Sequence, residues 1–209
     1  MRTKIYLIGL LFTTFLVLSA CKSETAEKIK SAKESVNQAK DLVKNVKNIE
    51  KTSKDLEKRV EELKKITPID NEKFKSWMPE KLGDMERSSF TFQTSSATSG
   101  TLEFKNGASD KSMRITITDG AGEAGAAIYT FQGFMTGMAK GFESESDSKT
   151  EQTKQREGSQ SLETYYKKDN NSEIKTTVDE RFMVDAEGEN MNPDELWSLI
   201  ANLNINKLK

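Results

Sequence analysis

Lys111-Ser112-Met113-Arg114-Ile115-Thr116-Ile117-Thr118-Asp119-Gly120 is the stretch that decides the fold. Met113, Ile115 and Ile117 alternate with Arg114, Thr116 and Thr118. A period of two places all the apolar side chains on one face, as in a strand that is buried on one side and wet on the other. Upstream, Leu102 and Phe104 repeat the pattern, and Phe90 and Phe92 repeat it again. Ser99-Gly100, Asn106-Gly107 and Asp119-Gly120 offer turn chemistry between these runs. A meander of three antiparallel strands is expected, apolar side inward.

Beyond Gly120 the period changes. Ile128, Phe131, Met135, Met138 and Phe142 recur at helical spacing, and Gly133, Gly137 and Gly141 fall four apart, with Gly125 two steps earlier. Such a glycine row occurs in membrane dimerisation helices, but Glu123, Gln132 and Lys140 make this segment too polar for that. Close packing of a helix on the sheet is the reading adopted. Each helical Gly costs about 1 kcal/mol relative to Ala, so this helix depends on tertiary contacts. Strands are expected again at 149–156, at Leu162–Lys167, at Ile174–Val178 and at Phe182–Val184, with Asp169-Asn170-Asn171 as a turn. Asn192, Pro193 and Glu195 form a capping-box arrangement. It opens a helix whose apolar face is Leu196, Trp197, Leu199, Ile200 and Leu203. Phe74, Trp77, Met78 and Leu82 lead into the first strand. Residues 67–209 therefore read as one domain of α+β class, an antiparallel sheet packed with helices.

Residues 21–66 differ in kind. From Lys22 to Ile66 there is no Gly, Pro or aromatic residue. Ile29, Ala32, Val36, Ala39, Val43 and Val46 alternate gaps of three and four. After a three-residue slip to Ile49 the stripe continues through Ser53, Leu56, Val60 and Leu63. A long N-terminal helix of about 60 Å is expected, ending before Pro68. Its stripe is thin, so a solvated spacer is preferred to a stable coiled coil, with self-association through the stalk or docking of the helix to an envelope partner as the alternatives. Residues 22–66 carry 13 Lys+Arg and 9 Asp+Glu, net +4, whereas residues 67–209 carry 17 and 24, net −7. A basic spacer and an acidic domain suit an anionic membrane surface and argue against nucleic acid as a partner.

Residues 1–20 read as an export signal. Arg2 and Lys4 precede sixteen uncharged residues, Ile5 to Ala20, too few for an ordinary spanning helix of about 20 residues. The run ends Leu18-Ser19-Ala20-Cys21, and Cys21 is the only cysteine of the 209 residues. This resembles the lipobox of bacterial lipoproteins. The resemblance implies cleavage between Ala20 and Cys21, a diacylglycerol thioether on Cys21, and anchoring to a membrane through the acyl chains. Lys22 in place of Asp after the cysteine points, by the same resemblance, to the outer membrane, at its periplasmic face or at the cell surface.

Composition excludes several chemistries. With no His and one Cys, neither a Ser-His-Asp nor a Cys-His site can form. Tetrahedral zinc sites of Cys and His are excluded as well. Glu143, Glu145 and Asp147 alternate, as do Asp185, Glu187 and Glu189, but neither run has the loop pattern of a calcium site. No cofactor and no metal are expected. Two carboxylates could hydrolyse a glycan, yet no pair stands out among 33 acidic residues. Tyr165, Tyr166 and Trp197 are the candidate lining of a ligand groove, with packing in the core as the competing role for Trp197.

The order of elements, with Pro79-Glu80-Lys81-Leu82-Gly83 and Arg87, Arg114-Ile115-Thr116-Ile117-Thr118-Asp119, and Arg181-Phe182-Met183-Val184 with Gly188, resembles uncharacterised envelope proteins of the PsbP-like α/β/α sandwich type. The resemblance spans the last two thirds of the chain and implies a small binding or assembly module. The function expected is that of a lipid-anchored envelope protein that binds an envelope protein or a small ligand and is not an enzyme. The alternatives are a carboxylate-dependent glycan hydrolase of the envelope and a structural, self-associating protein.

Overall fold

Strong period-two patterning and tight turns build nine strands into one sheet. The computed structural model describes residues 53–94 and 97–209, all within the compact unit Asn48–Lys209. A first helix, α1, is described over residues 53–64. It is followed by α2 (Asn71–Trp77), β1 (Lys81–Leu82), β2 (Met85–Gln93), β3 (Ser99–Lys105) and β4 (Ser112–Asp119). Then come α3 (Gly122–Met138), β5 (Glu143–Glu145), β6 (Lys149–Arg156), β7 (Ser159–Tyr166), β8 (Asn171–Val178), β9 (Phe182–Glu189), α4 (Pro193–Asn202) and a 3₁₀ turn at Ile205–Leu208. The nine strands form one sheet in the order β1-β2-β3-β4-β9-β8-β7-β6-β5. Every neighbouring pair is antiparallel.

Two features of the expected fold class are corrected. The domain is dominated by a broad nine-stranded sheet and is not an α+β sandwich. Among the described residues there is no long N-terminal helix, since α1 is described over three turns only. The sheet is wider than expected because β1 and β5, of two and three residues, pair at its margins without any apolar alternation of their own. The export signal, Ala20, Cys21 and the heptad stripe as far as Ile49 lie outside the described residues.

The inner face holds the core. Leu102 and Phe104 of β3, Met113, Ile115 and Ile117 of β4, Val184 and Ala186 of β9 and Ile174 of β8 are in register across four strands and almost fully buried. Helices α2 and α4 and the 3₁₀ turn close over them through Phe74, Leu196, Ile200, Ile205 and Leu208. The capping box is formed: Asn192 Oδ1 accepts from the N–H groups of Asp194 and Glu195, and Glu195 Oε2 accepts from Asn192 N–H at 2.9 Å. On the outer face the same strands present Thr101, Thr116, Arg114, Asp185 and Lys175, and there Thr101 and Thr116 hydroxyls pair at 3.0 Å.

The expected turns fared unevenly. Asn106-Gly107 opens a six-residue loop in which Asn106 Oδ1 accepts from Ala108 N–H. Ser99-Gly100 is not a turn, for both residues lie inside β3. Gly100 is there because the ring of Phe74 rests on it: a Cβ would fall 2.1 Å from Phe74 Cζ. Overpacking of this sort costs about 1–3 kcal/mol, and here the obstructing group is a buried ring. Gly100→Ala is expected to fall at the upper end of that range, read as a lower urea midpoint at unchanged slope. A midpoint equal to that of the wild type would show that α2 can lift off freely.

Candidate functional site

Three grooves and two buried ion pairs are the places where this domain could act. The sequence pointed to Tyr165, Tyr166 and Trp197, and the structure does not gather them. Adjacent residues on a strand point to opposite faces, so Tyr165 and Tyr166 are separated by the sheet itself. Tyr165 is on the inner face, where its hydroxyl donates to Asn170 Oδ1 at 2.9 Å. It lines a groove of about 610 Å³ between β6 and the first turns of α4, with Gln152, Lys154, Asp194 and Ser198. Trp197 lines a different groove of about 430 Å³ with the Glu157-Gly158 and Asp179-Glu180 turns. Tyr166 is on the outer face, where its hydroxyl donates to Glu173 Oε1 at 3.0 Å, and that bond raises its phenol above the ordinary value.

Between the two inner grooves stands Arg156. Its guanidinium makes a two-pronged pair with Glu163, at 2.7 and 2.9 Å. It also reaches Asp194 at 2.6 Å and lies 5.8 Å from the centre of the Trp197 ring. Glu163 is 1% exposed, and the Ser161 hydroxyl donates to it as well. A two-residue turn, Glu157-Gly158, with both residues in the left-handed region, brings the arginine and the glutamate together on one face of the β6–β7 hairpin. The cluster clamps this hairpin to α4. With every Glu163 oxygen engaged, the arrangement is suited to holding elements together and offers no free carboxylate for proton transfer.

Asp194 and Glu195 in the first turn of α4 are both held below the usual carboxylate range. For Asp194 the chief cause is the hydrogen bond from Arg156. For Glu195 it is the Asn192 N–H and then Lys111. Because the folded values are depressed, the stabilisation is complete above the unfolded carboxylate range near pH 4 and is lost as pH falls through the lower folded values. The urea midpoint of the wild type is therefore expected to drop more steeply than that of Glu195→Gln between about pH 5 and pH 2.5. Parallel curves would contradict this.

The second buried pair joins the chain leading into the domain to the sheet. Arg181 donates to both oxygens of Asp119, at 2.7 and 2.8 Å, and to the carbonyl of Thr67. Asp119 also accepts from Ile69 N–H and Ala121 N–H. No protein family, curated protein or solved structure matches this chain. Among the described residues no group of three or more acidic or cysteine side chains could hold a metal ion. Glu145 pairs with Lys167 and Asp185 with Lys175, as befits solvated strands.

The third groove, about 710 Å³, runs between α1 and α3 and is the most apolar of the three. Leu56, Val60, Ala127, Thr130 and Phe131 line it, with Ser53, Glu57 and Glu61 at its rim. Sequence reasoning placed α3, with its glycine row, close against the sheet. The structure packs that row closely and gives it α1 as a neighbour. The small-residue face turns inward: Ala126 is fully buried with Val60 and Leu63 of α1. A Cβ on Gly125 would strike the carbonyl oxygen of Asp119 at 2.4 Å, and one on Gly133 would strike Leu56 Cδ1 at 2.7 Å. The large residues consequently point away, and Ile128, Phe131 and Met135 are 41%, 69% and 54% exposed. The sequence signal was present in the pairing of the α1 stripe with a glycine row. Taken separately, each could have met the sheet.

Proposed function

We propose that the protein is a lipid-anchored bacterial envelope protein, acylated at Cys21 and held at the outer membrane, whose sheet domain is a non-catalytic binding module. The observation that carries this reading is Leu18-Ser19-Ala20-Cys21, a lipobox ending on the only cysteine and preceded by a basic end and an uncharged run. Two features of the domain support the binding role. Its most buried carboxylates, Asp119 and Glu163, are each spent on an arginine. Its two grooves beside α4 are open and lined by mixed side chains, as befits recognition of a partner. The partner is an envelope protein or a small ligand.

The test is metabolic labelling with a fatty acid, together with fractionation of the producing cells. The wild type is expected to carry label and to sediment with the outer membrane, whereas Cys21→Ala carries none and keeps its first twenty residues. An unlabelled wild type of full precursor mass would refute the anchor. Capture of one specific partner by the full lipoprotein from detergent-extracted envelopes would establish the binding role, and turnover of an envelope glycan by the same preparation would replace it with catalysis.

A further inference from the structure

The outward face of α3 has no covering element among the described residues, and its position in the chain says what it meets. From Ala124 to Ala139 there are sixteen residues without a charge, in a chain that is 31% charged. Ile128, Phe131 and Met135 are three and four apart, so they form one stripe, and all three are well exposed. Ser53, where the described chain begins, lines the same groove as Phe131. The chain coming from Cys21 thus enters the domain beside this stripe. Residues 22–52 separate the two points, and that length spans at most about 110 Å in any conformation. An acylated Cys21 would keep the stripe near the bilayer at an effective concentration on the order of a millimolar.

We propose that α3 is a membrane-docking helix, with Ile128, Phe131 and Met135 inserted at the boundary between lipid headgroups and acyl chains. This inference rests on the lipid-anchored reading. Size separates a bilayer from a protein partner as the occupant. The three side chains expose roughly 300 Å² between them, well short of the ~800 Å² that each partner brings to a standard protein interface. A patch of that size is too small to hold a second copy of the chain, yet it is sufficient for a surface to which the domain is already tethered. Charge says which kind of surface. On α1, Glu61 is paired with Lys64 and Glu62 with Arg59 and Lys58, while Glu57 adds a carboxylate at the rim of the groove, so the flank of the stripe offers no basic patch to draw it to lipid headgroups. Docking is driven by apolar insertion, so added salt does not release it.

The experiment uses the full acylated protein, purified from producing cells and reconstituted in vesicles of phosphatidylethanolamine and phosphatidylglycerol. Phe131→Cys and, in a second protein, Met135→Cys carry an environment-sensitive thiol label, and Lys105→Cys at the exposed end of β3 is the reference. Labels at 131 and 135 are expected to be quenched by brominated lipid on the order of threefold more than the label at 105, and by aqueous iodide correspondingly less. Equal iodide quenching at 131 and 105 would overturn the proposal. Shielding of 131 from both quenchers would overturn it too, in favour of a protein partner or a second copy. Because acylation blocks the only native thiol, the wild type should take up no label. A labelled wild type would mean that the anchor itself has failed, a result distinct from failure of docking with the anchor intact.

Discussion

Asp119→Ala is expected to lower the unfolding free energy by about 3–5 kcal/mol, the cost of leaving a buried charge without its partner. Arg181 is 8% exposed and would keep its charge. Its other contacts, the Thr67 carbonyl and the face of Phe182 at 5.1 Å, cannot neutralise it. Two backbone donors, Ile69 N–H and Ala121 N–H, would lose their acceptor at the same time. Asp119 ends β4, Ala121 leads into α3 and Ile69 lies in the segment before α2, so the loss loosens three parts of the domain together. A urea titration of the single variant and of Asp119→Ala/Arg181→Met checks the mechanism. The double variant removes both charges and should recover part of the loss. A single variant within about 1 kcal/mol of the wild type would mean that water reaches Arg181 readily.

Arg156→Met is the second large effect, about 3 kcal/mol. Glu163, nearly inaccessible, would be left with only the Ser161 hydroxyl. Asp194, mostly exposed, would simply be rehydrated. The methionine keeps much of the bulk of the arginine stem, so the loss reports the charge more than the packing. Glu163→Gln introduced into this background should restore part of the stability, because a neutral amide is cheaper to bury than an unpaired carboxylate. If the second change deepens the loss, the cluster depends on Glu163 for something other than charge balance.

Neither ion pair was legible in the sequence. Asp119 and Arg181 are 62 residues apart and meet because β4 and β9 are neighbours, a pairing that crosses the α3 and β5–β8 segment. Arg156 and Glu163 flank a single turn, but as two charges in a polar run they gave no pattern until the hairpin register was known. The central strands were legible because Met113, Ile115 and Ile117 follow the pleat, and the start of α4 because its cap is local chemistry. The margins were not. Lys81–Leu82 and Glu143–Glu145 are strands only by virtue of the neighbours to which they bond. The orientation of α3 depended on a partner, α1, whose stripe was read as facing solvent.

The two margins of the sheet are unlike, and this gives growth of the sheet a direction. On one side β5 is three residues long, with Glu143 and Glu145 exposed. An incoming strand finds few backbone groups there and meets two carboxylates, and the length of β6 that runs past β5 carries Lys154 and Arg156. On the other side β1 covers only Met85 and Glu86. Ser88-Ser89-Phe90-Thr91-Phe92-Gln93 continues past it, uncharged and with Phe90 46% exposed. Only the irregular register between Arg87 and Ser89 interrupts it. In crowded or partly unfolded material, polymerisation through backbone pairing would begin at β2 and stop at β5, and a single lysine in place of Thr91 would suffice to deter it.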